Sequence, residues 1–204
     1  VERYDTFAVG NCQCRMTMQV TDRDCGKPIR NCTSMGDFAK GAIKAGQMQE
    51  ITAQEFLTIK REAETHGLVS WIFNVESSKG QLSCSCCGCC CHLLRSVREF
   101  NVPATAAPPH FMPEFDHQSC DYCGKCARAC PLGSISVDPK GKRLWQLKER
   151  CVGCGVCAVA CDKRQAIRME PVPDYRVPPQ SWFGAISRTI APAALNAAKA
   201  YLKR

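Results

Sequence analysis

The chain has 204 residues, room for one or two domains, and 18 of them are cysteine, far above ordinary usage. So many thiols, with no secretory leader and no apolar run of bilayer-spanning length, point to a reducing cytosol and away from a disulfide framework; a start at Val1 instead of Met leaves room for a trimmed stretch ahead of it. The formal charge of +8 invites a nucleic-acid reading, but residues 1–115 hold 12 Lys/Arg against 12 Asp/Glu, so the whole excess lies from position 116 onward.

The first segment carries Cys12-x-Cys14-Arg15, then Cys25 and Cys32 around a Gly26-Lys27-Pro28 turn. These spacings match no zinc or ferredoxin signature, yet four thiols so close together suggest metal ligation more than buried structural thiols. From Thr33 to Ala45 the spacing of Phe38, Ala42 and Ala45 predicts a helix ended by Gly46. A second helix starts at a capping box of Thr52 and Glu55, flanked by a hydrophobic staple of Ile51 and Phe56, and stops at Gly67. Leu68 to Val75 then reads as a strand, and residues 76–80 turn the chain so that Gln81 to Ser83 pairs back.

Two helices and a hairpin look like a small winged-helix arrangement, a fold often used on DNA. The charge argues against that use, since Lys40 and Lys44 alone on a recognition face supply too few phosphate contacts. A scaffold role is expected instead. The hairpin leads into Cys84-Ser85-Cys86-Cys87-Gly88-Cys89-Cys90-Cys91-His92. Side chains of an extended segment alternate in direction, so this block can serve two faces, and Gly88 lets the backbone fold closely around whatever is bound. His92 is read as a neighbour of the block more than as a ligand, and His66, His110 and His117 as capping or surface residues.

Residues 102–115, with four prolines, are expected to be a semi-rigid linker. Beyond them one spacing occurs twice, Cys120-x2-Cys123-x2-Cys126-x3-Cys130 and Cys151-x2-Cys154-x2-Cys157-x3-Cys161. Structural zinc needs no third in-phase cysteine, and disulfides give no reason for an exact repeat. Between the runs, Ile135–Val137 and Leu144–Leu147 predict a hairpin, with Ala166–Met169 returning as an edge strand. Pro171 to Pro179 then leads to a tail with Trp182, Phe183, Ile186, Ile190 and Leu195 at near-helical spacing, and Pro192 is placed to start a final helix. This tail suits a partner-docking arm, a membrane-surface contact or a helix packed on its own domain. No serine triad, phosphate loop, dinucleotide fingerprint or flavin motif occurs.

The repeat resembles the bacterial two-cluster ferredoxins. That resemblance implies one [4Fe-4S] cluster on Cys120, Cys123, Cys126 and Cys161, and a second on Cys130, Cys151, Cys154 and Cys157. Pro131 follows the family pattern, whereas Asp162 replaces the second proline. The wider combination, from Cys12-x-Cys14-Arg15 to Cys161, resembles uncharacterised multi-cluster 4Fe-4S proteins of anaerobic redox pathways. Each oxidised cluster with four thiolates carries about −2, so two clusters lower +8 to about +4 and four bring it to about zero.

The expected class is therefore α+β, a ferredoxin-like domain (116–170) preceded by a cysteine-rich winged-helix-like α/β domain (1–101) and followed by a basic tail (171–204). The expected cofactors are four [4Fe-4S] clusters, two of them on Cys12, Cys14, Cys25, Cys32, Cys84, Cys86, Cys87, Cys89, Cys90 and Cys91. The expected role is cytoplasmic electron transfer, as a ferredoxin-like protein or a subunit of an oxidoreductase with an acidic docking surface, and no nucleic-acid partner. The alternatives are a reductase whose catalytic cluster sits at Cys84–Cys91 and, more weakly, a DNA-binding redox sensor.

Overall fold

The computed structural model describes residues 1–187 apart from 24, 74, 76–78, 103–104, 162–163 and 176. Its N-terminal half is built on an antiparallel sheet of five strands: β1 (Phe7–Gly10), β2 (Cys32–Gly36), β3 (Gln49–Ile51), β4 (Val69–Ile72) and β5 (Gly80–Cys86), in the order β3-β1-β2-β5-β4. Four helices accompany it: α1 (Gln13–Val20), α2 (Asp37–Lys44), α3 (Ala53–Thr65) and α4 (His92–Phe100). The hairpin β4–β5 is present, with Trp71 opposite Cys84 and Val69 opposite Cys86. It forms one edge of this larger sheet, and the winged-helix arrangement is not what the described residues adopt.

The helix predicted from Thr33 begins later. Residues 32–36 are the central strand β2, with the Thr33 hydroxyl donating to the Ser83 carbonyl at 2.7 Å across the ladder. Gly36, at φ 65°, turns the chain into α2, and a Cβ there would collide with the Lys79 carbonyl and the Tyr4 ring. The capping box is formed as read: the Glu55 N–H donates to Thr52 Oγ1 at 3.1 Å, and the Thr52 N–H to Glu55 Oε2 at 2.7 Å. Phe56 is buried against Phe7 and Met35, with Ile51 packed beside it.

The expected linker is shorter than its prolines suggest. Residues 111–115 form β6 (Phe111–Phe115), which pairs antiparallel with β9 (Ile167–Pro171) and places Pro113 opposite Met169. A strand with one paired edge tolerates a proline, because the missing N–H faces away from the ladder. The β9 strand, expected beside the hairpin, therefore pairs with β6 instead. The hairpin itself is β7 (Ile135–Asp138) and β8 (Arg143–Gln146), and the two cysteine runs continue into the short helices α5 (Lys125–Ala129) and α6 (Val156–Ala160).

The two halves share a core. Val69, Cys86, Cys91, Leu94 and Val97 pack with Leu132 and Val156 of the ferredoxin-like half, and Cys130, Val152 and Cys154 border the same cluster. Among the described residues no helix is long and apolar enough to cross a membrane. Residues 182–187 are helical, and Trp182 packs edge-on against Phe73 at 5.1 Å, while Phe183 remains 82% exposed. Ile190, Pro192 and Leu195, with the final helix expected from Pro192, lie outside the described residues.

Candidate metal centres

The repeated cysteines gather into two groups that cross between the runs. One pocket is lined by Cys120, Cys123, Cys126 and Cys161, with Phe115, Leu144 and Ile167 as its apolar wall. A second is lined by Cys130, Cys151, Cys154 and Cys157, with Leu132, Ile135 and Met169. The crossing follows from the local geometry: three cysteines two apart wrap a loop whose last member opens a short helix, and the fourth leaves that helix at its far end. Left-handed Gly124 and Gly155, at φ 73° and 76°, make the bend into each helix.

The donor set of both groups fits an anionic metal–sulfur core. Backbone N–H groups of Tyr122 and Ser134 lie 3.4 Å from the sulfurs of Cys120 and Cys130, and the Ser134 hydroxyl lies 3.1 Å from Cys130 Sγ. Gln146 Nε2, buried and without a hydrogen-bond partner among the described residues, belongs to a side chain that faces Cys151. Burial pushes Cys154 up to about 11 and Cys157 up to about 12, so these thiols stay protonated unless a cation takes the proton's place. Cys123 is exposed, which brings the first group to the surface.

The ten N-terminal cysteines divide into six and four. Cys12, Cys14, Cys32, Cys84, Cys86 and Cys91 line one cavity of about 210 Å3, together with Arg15, Trp71, Leu82, His92 and Leu93, and Cys87 of the other group borders it as well. Within it Cys84 is held down to about 3 by the thiols of Cys32 and Cys86, and Cys91 to about 3 by those of Cys14 and Cys86. Their donors Cys32 and Cys86 are pushed far up in return. Cys12 and Cys91 occupy the N-cap positions of α1 and α4, so two positive helix ends converge on this cavity.

Two buried cations complete the setting, and sequence reasoning missed both roles. Lys60, 9% exposed, donates to the carbonyls of Ser83 at 2.8 Å and Cys84 at 3.1 Å and to the Ser85 hydroxyl at 3.1 Å. Burial lowers its pKa to about 8, while the nearby sulfurs of Cys84, Cys32 and Cys86 oppose that shift. Arg15, 1% exposed, donates to the Ser85 carbonyl at 3.1 Å, to Asn31 Oδ1 and, at 3.7 Å, to Cys87 Sγ. Its Nε has no partner among the described residues, leaving one N–H to offer a bound sulfide. Arg15 was legible only as the residue after Cys14, and nothing in the α3 sequence marks Lys60 as facing thiols.

The other four cysteines, Cys25, Cys87, Cys89 and Cys90, converge with one another against Met18, Ala63 and Leu68. Burial, the largest influence on Cys87, raises its pKa, but the Cys90 N–H and the Arg15 guanidinium outweigh it and leave the thiol at about 7. Cys89 is pushed up to about 11, mainly by burial. His92 lines the six-thiol cavity, His66 caps α3 and its carbonyl accepts from Lys27 Nζ at 2.6 Å, His110 stacks on Tyr175, and His117 pairs with Tyr122.

Comparisons with known proteins agree with the reading of the first cysteine run. Residues 113–136 match the family described as 4Fe-4S binding domain. The chain is similar to the aliphatic sulfonate oxidoreductase, polyferredoxin-like subunit, of Pyrococcus furiosus, 41% identical over 44 residues that make up 22% of this chain and 24% of that protein. It is also similar to DNA-directed RNA polymerase subunit Rpo3 of Methanosarcina acetivorans, 38% identical over 52 residues, 25% of this chain and 20% of that protein. The matches thus span about a fifth to a quarter of these relatives. The chain contains a ferredoxin-like 4Fe-4S binding segment.

Proposed function

We propose that the chain is an electron-transfer subunit of a cytoplasmic oxidoreductase, passing single electrons from the exposed Cys123 end of the ferredoxin-like half inward to the six-thiol cavity. In this reading Cys120, Cys123, Cys126 and Cys161 hold one [4Fe-4S] cluster, and Cys130, Cys151, Cys154 and Cys157 hold another. The six thiols hold a further iron–sulfur centre. The observation that carries the reading is the shared core, in which Cys86 and Cys91 of the cavity pack with Leu132 and Val156 while Cys130 and Cys154 border the same cluster. Bound clusters supply the one-electron redox chemistry. The protein's residues set what that costs: Lys60 and the N-termini of α1 and α4 place positive charge where an electron arrives, in a site from which the apolar wall keeps bulk water.

Electron paramagnetic resonance of the anaerobically purified chain tests this. Magnetic coupling of an N-terminal centre to the ferredoxin clusters is expected, and isolated, uncoupled signals would contradict it. The Lys60→Met substitution removes a buried positive charge beside Cys84, Cys32 and Cys86. The reduction potential of the centre there is expected to fall by about 60–120 mV, since about 59 mV corresponds to about 1.4 kcal/mol for one electron. Redox titration of wild type and variant reads the shift, and an unchanged potential would separate Lys60 from that centre.

The partner surface is read from charge. Lys125, Arg128, Arg164 and Arg168 are exposed at or beside the first pocket, and Lys148 is exposed just before Cys151. Affinity for an acidic redox partner is expected to drop about tenfold between low salt and about 0.5 M, and to drop further when residues 182–204 are removed. Equilibrium binding measured across a salt series checks both. A second reading, a reductase acting at the six-thiol site, is favoured by the cavity itself, whose volume of about 210 Å3 beside Trp71 and His92 has room for a small molecule.

A further inference from the structure

Among the described residues, the four thiols of Cys25, Cys87, Cys89 and Cys90 stand apart as a compact group. Their sulfurs all lie within 4.8 Å of one another, and among the described residues they are the one set of three or more ligand-type side chains that close. The Cys25–Cys87 and Cys89–Cys90 separations are both 3.8 Å. A single tetrahedral ion with metal–sulfur bonds of about 2.3 Å requires its ligand sulfurs to stand about 3.8 Å apart, by the geometry of the tetrahedron. A cubane core sets its irons at separate corners with each thiolate pointing outward, so its ligand sulfurs stand further apart.

From this we infer that Cys25, Cys87, Cys89 and Cys90 hold one mononuclear, tetrahedral thiolate-bound divalent ion, zinc or ferrous iron, and not a cluster. Four thiolates around a divalent ion leave a charge of about −2, and Arg15, buried and 3.7 Å from Cys87 Sγ, supplies a compensating positive charge. The ligands also explain what the ion does. Cys25 belongs to the loop between α1 and β2, while Cys87, Cys89 and Cys90 belong to the turn after β5. The site thus ties that loop to the turn beside the end of α3, where Ala63 and Leu68 pack. This inference stands apart from the electron-transfer reading, because its readout separates a sulfide-free site from the clusters.

The test measures zinc, iron and acid-labile sulfide in the full-length chain purified anaerobically, for wild type and for Cys25→Ser and Cys89→Ser. The wild type is expected to contain either one zinc per chain or one iron in excess of labile sulfide, and these two results tell the ions apart. Each variant is expected to lose that one ion and keep its sulfide. Loss of about four irons together with about four sulfides in either variant would overturn the inference. So would wild-type iron equal to sulfide with no zinc, a result that needs no variant to fold.

Discussion

Replacing Cys161 with alanine is expected to strip about four irons and four sulfides from the site formed by Cys120, Cys123 and Cys126, although Cys161 follows the other cysteine run in sequence. The pocket geometry carries this expectation, because Cys161 lines the same pocket as those three residues while Cys130 faces Cys151, Cys154 and Cys157. The variant should retain the second cluster, since none of its four thiols is touched. Metal and sulfide analysis paired with spectroscopy of the reduced protein distinguishes the sites. Selective loss of the cluster bounded by Cys151, Cys154 and Cys157 would show that ligation follows sequence order instead of the crossed arrangement.

The Gly88→Ala substitution adds a single methyl group, and its expected effect is nearly as large. A Cβ at this position would overlap the Pro131 carbonyl, and Pro131 is rigid backbone directly after Cys130. Neither side yields easily: Gly88 sits between Cys87 and Cys89 of the four-thiol group, and Pro131 is fixed by its ring and by buried Leu132 beside it. The contact must open, at an expected cost of about 1–3 kcal/mol, typical of overpacking in a close-packed interior. The apolar contact between the halves then loosens, and electron exchange between the six-thiol site and the Cys130 site is expected to slow by at least about tenfold. Thermal unfolding reads the first effect, and rapid-mixing reduction followed at the N-terminal centre reads the second. A variant with wild-type melting and transfer would mean the two backbones approach without being coupled.

Local signals in the sequence were readable and long-range ones were not. The capping box at Thr52 and Glu55 needs only three residues of separation, and the structure forms both of its hydrogen bonds. The hairpin over residues 135–146 is equally local. By contrast, β1 and β2 are short, and their identity as strands comes from pairing with each other, of β1 with β3, and of β2 with β5, whose residues lie up to fifty positions away. Thr33 and Ser34 could as well have opened a helix, and only burial against Ser83 and Leu82 fixes them as strand. The same limit applies to the site. Alternation in the 84–91 block suggested two faces, but the division into six thiols and four depends on where the loop carrying Cys25 folds back. Lys60 shows the limit most plainly: on an amphipathic helix a lysine reads as a solvent-facing residue, and the thiols that surround it come from strands more than twenty residues away.

The six-thiol cavity also dictates an order of events during synthesis. Cys12, Cys14 and Cys32 leave the ribosome well before Cys84, Cys86 and Cys91, and neither trio encloses the cavity alone. Until β5 pairs with β2, the early trio is a set of unprotected thiols, open to oxygen and to adventitious copper or zinc. On the proposed reading of this cavity as an iron–sulfur site, a cell making the chain gains from delivering iron and sulfide only after residue 91 has emerged, and from keeping oxygen away while it waits.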